Sequence, residues 1–258
     1  MFIRENGHPT FYATENLAAA KTISTDDVWP GGSGGFSLTG SGTAQGKLGV
    51  WDGGGVLLTH QEFGGRVAQV DSPGATHYHS THVAGTMVAS GVQANAIGMS
   101  YEAYLNAYDW NNDDAEMAAA GGIGMNVSNH SYGSIGGWYY NDGNWYWYGD
   151  TQVSPVEDYG FGFYGSQCQT WDNIAYNAPY YLICKSAGND RDDTGPGAGG
   201  GHYVYVGNDW AWSTVTRDPD GGVNHYDCIP WYANAKNIMT VGAVNDYPNG
   251  YKIGRAHV

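Results

Sequence analysis

Short apolar runs alternate with stretches of helical composition from residue 48 onward. The runs rich in β-forming residues are Leu48–Asp52, Arg66–Val70, Tyr104–Trp110, Asn126–His130, Tyr180–Lys185 and Asn237–Val244. The stretches of helical composition between them are Ser80–Ser90, Asp113–Ala120 and Thr170–Asn177. Strand–helix–strand alternation is typical of a parallel sheet covered by helices. The pattern therefore predicts a three-layer α/β fold, a mostly parallel twisted sheet with helices on both faces, whose sites lie past the carboxyl ends of the strands.

The rest of the chain departs from this alternation. Residues 1–47 are polar and rich in Gly and Ser, with one amphipathic stretch near Leu17 that predicts a short helix. We interpret them as an N-terminal extension, or as the end of a propeptide or linker, preceding a main domain at 48–252. Residues 138–164, dense in Trp, Tyr and Gly, and residues 190–212, rich in Gly and Asp, predict long insertions or loops. Residues 253–258 match one reading frame of a sequencing adapter, so we interpret them as an artefact that follows a natural sequence ending near Tyr251.

Composition excludes several classes of protein. Hydrophobic residues make up 41% of the 258 residues, which is enough for a buried core. Ten Lys and Arg against 25 Asp and Glu give a formal charge of −15, which repels phosphate backbones and argues against nucleic acid as a partner. No apolar stretch approaches the roughly 20 residues of a membrane span. The N-terminus has no signal-peptide core, so either the protein is not exported or its true start is missing.

The chain has three cysteines, Cys168, Cys184 and Cys228. Their number is odd and they lack C-x-x-C spacing, so a zinc knuckle is unsupported. One disulfide with a spare thiol and three reduced thiols remain equal alternatives.

Two polar residues follow apolar runs at predicted strand ends. Asp52 comes after Leu48-Gly49-Val50-Trp51 and precedes three glycines that let the chain turn sharply around it. Asn189 ends Ser186-Ala187-Gly188-Asn189, after a second apolar run, and its amide is placed to donate to a developing oxyanion. For each residue the structural alternative is an ordinary turn, formed by Asp or by an Asx motif.

A histidine-rich segment follows the first of these strands. His79 opens the run H-S-T-H-V-A-G-T, in which Ser80 or Thr81 is a candidate helix cap and the small residues permit close packing. A lone histidine is more often structural. His77 and His82 make a metal cluster an alternative, but their spacing is not a standard ligand pattern.

Taken in order, these segments resemble the subtilase family, the subtilisin-like serine peptidases. The matching segments are V-W-D-G-G, T-H-Q-E-F, H-S-T-H-V-A-G-T, S-N-H-S-Y-G and S-A-G-N-D, over about residues 46–246. The His segment differs by one residue from the family's H-G-T-H-V-A-G-T, since Ser80 replaces Gly. The segment from Tyr101 to Trp110 is similar to the strand after the family's His helix, and the aromatic runs W-Y-Y and N-A-P-Y-Y-L resemble segments of bacterial secreted members.

The resemblance implies a role for each matching residue. Asp52 would be the triad acid that orients His79, and His79 the general base that takes the serine proton. Asn189 would supply the amide of the oxyanion hole, and His82 would be structural. Ser80 casts some doubt on helix packing beside the base, because its hydroxymethyl must fit where the family has no side chain.

The resemblance also implies a substrate and a compartment. The segment Ser131-Tyr132-Gly133 would pair with a protein or peptide substrate bound as an extended strand and form one wall of a specificity pocket. The protein would be secreted or bound to the cell envelope of a bacterium.

No cofactor is required for this chemistry. Subtilases frequently bind calcium, and the weak candidate ligands for a structural Ca²⁺ are Asp190, Asp192 and Asp193, whose alternative is a solvated acidic loop.

The sequence departs from the family in one larger respect, because it contains no Gly-Thr-Ser-x-Ala nucleophile segment. Val241-Gly242-Ala243-Val244 resembles the strand shortly before that segment, so residues 48–252 are predicted to be a partial subtilisin-like domain, C-terminally incomplete and inactive as given. Two alternatives remain. One is a non-catalytic pseudo-peptidase whose gene has lost the serine. The other is a carbohydrate-binding module whose platform consists of Trp138, Tyr139, Tyr140, Trp145, Tyr146, Trp147 and Tyr148.

Overall fold

A computed structural model describes residues 2–3, 9–10, 16–222 and 226–244. The chain forms two compact units, one made of residues 1–111 with 244–258 and the other of residues 112–243. The predicted artefact at 253–258 lies outside the described residues. The predicted boundaries at residues 47 and 252 stay predictions.

The first unit holds three parallel strands and the histidine helix. Its helices are α1 (Asn16–Thr22) and α2 (Tyr78–Val88), and its strands are β1 (Phe2–Ile3), β2 (Pro9–Thr10), β3 (Leu48–Asp52), β4 (Val67–Gln69) and β5 (Leu105–Asp109). Strand β5 pairs with β3 on one side and β4 on the other, both parallel, with Gly49 opposite Asn106 and Val67 opposite Leu105. Strands β1 and β2 pair antiparallel.

Strand β3 is apolar along nearly its whole length because both of its faces are covered, as is usual for parallel strands. Val50 belongs to a buried cluster with Leu105 of β5 and with Ala84 and Val88 of α2. The small side chain of Ala84 lets the helix lie close to the strands, as the sequence predicts. This packing places the start of α2 beside the carboxyl end of β3.

The described part of the second unit contains two α-helices and seven strands. Its helices are α3 (Asp113–Gly122) and α4 (Ser166–Asn177), and its strands are β6 (Val127–His130), β7 (Trp138–Asn141), β8 (Asn144–Trp147), β9 (Leu182–Ser186), β10 (His202–Val206), β11 (Asp209–Ser213) and β12 (Met239–Val241). Strand β9 pairs parallel with β6 and with β12. Helix α4 covers β6 through Trp171, whose ring centroid lies 5.0 Å from that of His130.

The two aromatic and glycine-rich segments form a four-stranded sheet with each other, in the order β11-β10-β8-β7. The sequence predicted long insertions or loops here, and the structure shows that both segments contain strands. Strands β8 and β10 pair parallel, with Tyr203 opposite Tyr146. The sequence did contain the turn signals, because Asp142-Gly143 and Gly207-Asn208 are two-residue loops with positive φ at both positions, which favour hairpins.

One face of this sheet is buried and the other is open. Trp138, Trp147 and Val204 form a buried cluster on the inner face. The indole rings of Trp138 and Trp147 are 2% and 1% exposed, so neither is available to stack on a sugar ring. The seven-residue carbohydrate platform proposed from the sequence is wrong in these two members.

The α/β class predicted from the sequence is confirmed. Each of the six predicted strand runs contains a parallel strand, and each predicted helix is present. None of the described helices combines the length and the apolar character needed to cross a bilayer. Cys168, Cys184 and Cys228 are all free thiols, which favours the reduced alternative.

Candidate active site

Asp52 is the last residue of β3 and its side chain is buried. Its Oδ1 accepts a hydrogen bond from the backbone N–H of Gly53 at 2.7 Å. The chain then turns past Gly54, where a Cβ would lie only 3.0 Å from the Cβ of His77 and 3.2 Å from the carbonyl oxygen of Ala75. Glycine at this position therefore lets the turn pack closely enough to hold the carboxylate at the strand end.

His79 lies in the first turn of α2. Helix α2 is capped by His77, whose Nδ1 accepts from the backbone N–H of His79 at 3.3 Å. The prediction that Ser80 or Thr81 caps the helix is wrong, since both lie inside it. Thr81 donates instead from its hydroxyl to the carbonyl oxygen of His77 at 3.0 Å. An imidazole takes the capping role because its unprotonated nitrogen is an acceptor.

The carboxylate and the imidazole are in direct contact. Nδ1 of His79 lies 2.8 Å from Oδ1 and 2.9 Å from Oδ2 of Asp52. Because a carboxylate only accepts hydrogen bonds, this contact places the proton of the neutral ring on Nδ1 and leaves the lone pair on Nε2. The side chain of His79 is 42% exposed whereas that of Asp52 is 3% exposed. The pair is thus a buried acid that orients a base accessible to solvent.

Ser80 adds a hydrogen bond that the sequence did not reveal. Its side chain is 1% exposed, and its hydroxyl donates to Oδ1 of Asp52 at 3.2 Å. The doubt about helix packing beside the base is answered, because the hydroxymethyl group fits within the buried face. The buried carboxylate thereby has donors from the Gly53 backbone, from His79 and from Ser80.

Asn189 follows β9 and is exposed. It precedes the short 3-10 helix Asp190–Asp192, and its side chain makes no capping hydrogen bond to that helix. The preceding residue, Gly188, has φ of 95°, a conformation that favours glycine. The amide is therefore presented at a tight turn instead of being used as a local cap.

Asn189 and the segment Ser131-Tyr132-Gly133 line one cavity of about 230 Å³, which we call the 131–133 cavity. The structure thus brings the predicted oxyanion amide together with the predicted substrate-binding segment. The other residues that line this cavity include Trp138, Lys185, Ser186, Gly188, Asp190, Asp193 and Trp231.

A chain of hydrogen bonds fixes Tyr132 in the cavity wall. Its hydroxyl donates to Oδ2 of Asp113 at 2.6 Å and lies 3.1 Å from Nδ1 of His130. Nε2 of His130 lies 2.7 Å from the hydroxyl of Ser128, which lies 2.7 Å from that of Tyr181. All four contacts can be hydrogen bonds if the imidazole of His130 is neutral and every group in the chain, from Tyr181 to Tyr132, donates to the next group toward Asp113. Burial, and next the charge of Lys185, lower the pKa of His130 from 6.5 to about 3.

Three carboxylates gather at the cavity, two of them in its wall. Oxygen atoms of Asp190, Asp193 and Asp220 lie within 4.8 Å of one another. Burial raises the pKa of all three above the ordinary value, that of Asp220 to about 8, and repulsion by neighbouring carboxylates, including those of Asp158 and Asp192, acts in the same direction. Such oxygen ligands suit Ca²⁺. Of the three candidate ligands predicted from the sequence, Asp192 does not join this group, and Asp220 was missed.

These observations define an α/β protein in which a buried carboxylate at a strand end orients an accessible imidazole at a helix start. The Subtilase family model matches residues 61–253 of the sequence, well over half of the 258 residues. The chain belongs to the subtilase family, a family of serine peptidases. The matched range includes His79 and Asn189 and begins after Asp52.

Several solved structures are similar to the chain. The prenylagaramide maturation protease PagA is 15% identical, with a TM-score of 0.40 over 58% of this chain and 48% of that chain. A cold-adapted subtilisin-like serine proteinase is 17% identical, with a TM-score of 0.37 over 60% and 50%. The CspB protease of Clostridium perfringens is 14% identical, with a TM-score of 0.40 over 70% and 41%. The chain therefore spans half or less of the length of these structures. No curated protein sequence matches it.

Proposed function

We propose that this chain is the part of a secreted serine endopeptidase that contains the general base and the acid that orients it. The observation behind the proposal is the contact of 2.8 Å between Nδ1 of His79 and Oδ1 of Asp52, which leaves Nε2 of an accessible imidazole as the basic atom. Membership of the subtilase family supports the same chemistry.

Each residue has a distinct role in the proposed hydrolysis of a peptide bond. Nε2 of His79 takes the proton of the attacking serine hydroxyl and later gives it to the leaving amine. The carboxylate of Asp52 stabilises the imidazolium formed in between. The amide of Asn189 donates to the oxyanion of the tetrahedral intermediate, an interaction worth about 10²–10³ in turnover. Ser131-Tyr132-Gly133 binds the extended substrate.

The serine itself is proposed to lie outside these 258 residues. No Gly-Thr-Ser-x-Ala segment occurs in the sequence. In subtilisin, loss of the serine costs about 10⁶ in turnover, so the chain as given is expected to be inactive. A pseudo-peptidase, whose gene has lost the serine, is the alternative that this absence favours.

The test is hydrolysis of a fluorogenic peptide by the product of the complete gene. His79→Ala is expected to lower turnover by about 10⁶ and Asp52→Asn by about 10⁴. His82→Ala is the matched control, because His82 is an exposed imidazole on the same helix, and it is expected to retain activity. A complete product that cuts the peptide equally well with His79→Ala would end the proposal. A complete gene that encodes no serine segment, with no hydrolysis, would establish the pseudo-peptidase.

A further inference from the structure

The 131–133 cavity has walls of two chemical kinds. The side chains of Tyr132 and Trp231 supply aromatic surface, and those of Asp190 and Asp193 supply carboxylates. Its volume of about 230 Å³ is below the roughly 300–1,000 Å³ of sites for small molecules. A cavity of this size suits a single amino-acid side chain.

One carboxylate lies directly against the turn that presents the oxyanion amide. Oδ2 of Asp190 is 2.6 Å from the position that a Cβ on Gly188 would occupy. Gly188 and Asn189 both line the cavity, so this carboxylate belongs to its wall. An acidic group is therefore built into the backbone turn at which a substrate would bind.

The cavity wall also includes one cationic side chain, that of Lys185. Burial lowers the pKa of Lys185 to about 8, although the nearby carboxylate of Asp190 acts to raise it. Its Nζ donates to the carbonyl oxygen and the hydroxyl of Ser186 at 3.1 and 3.0 Å. Two carboxylates and one ammonium group give the cavity wall an excess of negative charge.

We infer that the 131–133 cavity accepts a cationic side chain, arginine or lysine, of the substrate peptide, and that Asp190 and Asp193 determine this preference. The inference rests on the proposed function. A guanidinium head group can form charge-assisted hydrogen bonds with carboxylates, whereas the methylene stem and the cation's charge both suit contact with aromatic rings. A neutral apolar side chain would cover the carboxylates without offering them a cationic partner.

A peptide cation fits this cavity better than Ca²⁺ does. Ca²⁺ takes six to eight oxygen ligands at about 2.3–2.6 Å. Of the three clustered carboxylates, only that of Asp220 does not line the cavity. Its Oδ2 accepts a hydrogen bond from the backbone N–H of Trp138 at 2.8 Å. Much of the remaining wall is aromatic and provides no hard ligand.

The test measures binding to the chain itself, which needs no serine. Calorimetry compares the neutral-ended peptide N-acetyl-Ala-Ala-Pro-Arg-amide with the same peptide ending in leucine. The arginine peptide is expected to bind about tenfold more tightly, the effect of one charge-assisted hydrogen bond. Asp190→Asn and, separately, Asp193→Asn should each reduce binding of the arginine peptide about tenfold, and neither should weaken binding of the leucine peptide, because an amide is less costly to bury than a carboxylate. Asp192→Asn is the matched control, since Asp192 is exposed and does not line the cavity.

The outcomes separate the inference from the proposed function. Equal or tighter binding of the leucine peptide would overturn the inference and leave the peptidase proposal standing. If neither peptide binds, the result would count against the inference and against the proposed function. Displacement of the arginine peptide by millimolar Ca²⁺ would show that the carboxylates hold a metal ion and would also overturn the inference. If Asp190→Asn does not fold, as judged by circular dichroism, Asp193→Asn provides the same comparison.

Discussion

Acid should destabilise the protein through one buried imidazole. His130 is 0% exposed, and its two ring nitrogens contact the hydroxyls of Ser128 and Tyr132. Because Tyr132 donates to Asp113, its oxygen accepts from Nδ1 of His130, and the hydroxyl of Ser128 donates to Nε2. A second ring proton, on Nε2, would point at the hydrogen that the hydroxyl of Ser128 donates and would break that hydrogen bond. The folded protein therefore favours the neutral ring, in agreement with the lowered pKa.

The magnitude follows from the two pKa values. Burial lowers the pKa of His130 from 6.5, its value in an unfolded chain, to about 3. Between these values the unfolded state binds the proton and the folded state does not, so the free energy of unfolding falls as the pH falls from 6.5 toward 3. Each pKa unit corresponds to about 1.4 kcal/mol, so the loss is about 3 kcal/mol between pH 7 and pH 4, and roughly 5 kcal/mol at its limit.

The assay compares wild type with His130→Gln in urea at pH 7 and at pH 4, followed by tryptophan fluorescence. Glutamine can donate and accept in place of the neutral ring but cannot take up the proton. The variant is expected to lose about 3 kcal/mol less than wild type over this interval. His82→Gln removes an exposed imidazole and should lose as much as wild type. Equal losses for wild type and His130→Gln would show that the buried ring does not control the acid response.

Two further substitutions test hydrogen bonds to buried carboxylates. Ser80→Ala removes one hydrogen-bond donor from Asp52 and is expected to cost about 1–2 kcal/mol of unfolding free energy. Ser80→Gly should cost slightly more, because glycine also weakens a helix interior. A urea titration in which Ser80→Ala matches wild type would exclude this hydrogen bond as a stabilising contact. Glu62→Gln removes the charge of a carboxylate that accepts hydrogen bonds from three backbone N–H groups of the 91–93 loop. Although burial raises the pKa of Glu62, these hydrogen bonds lower it below 4.5. The variant should therefore be about 2–3 kcal/mol less stable than wild type at pH 7. The difference in stability should shrink as the pH falls below 4.5, because the wild-type carboxylate then takes up a proton. A melting-temperature deficit that is unchanged at pH 4 would contradict the second prediction.

The parallel strands were predictable because each is a local feature of the sequence. Strand β3 is buried along nearly its whole length, so Leu48–Asp52 appears as one apolar run that ends in a carboxylate and glycines. The sheet formed by β7, β8, β10 and β11 lacks that signal. Its aromatic residues occur on both faces, as Trp138 and Tyr139 show, so no alternation of apolar and polar positions marks the strands. The pairing of Tyr146 with Tyr203 joins distant segments, which local patterns do not record.

The same limit applies to the site. The positions of Asp52 and His79 were predictable from motif order, and their contact agrees with that prediction. The contribution of Asp220 was not predictable, because it meets Trp138 from 82 residues away in the chain. Ser80 looked like an unfavourable departure from the family motif, because the sequence does not show that its hydroxyl meets a buried carboxylate. Long-range polar contacts depend on side-chain geometry that a one-dimensional pattern lacks.

One glycine lies between the proposed oxyanion amide of Asn189 and the acidic wall of the cavity. Gly188 has φ of 95°, and a Cβ there would lie 2.6 Å from Oδ2 of Asp190 and 3.0 Å from the ring of Pro230. Any side chain at this position would be strained and would also displace the carboxylate. Because Asn189 lies between Gly188 and Asp190, a backbone shift that relieved these contacts would move the amide of Asn189 as well. The proposed transition-state contact and the proposed side-chain preference therefore depend on a single backbone turn, and selection on one constrains the other.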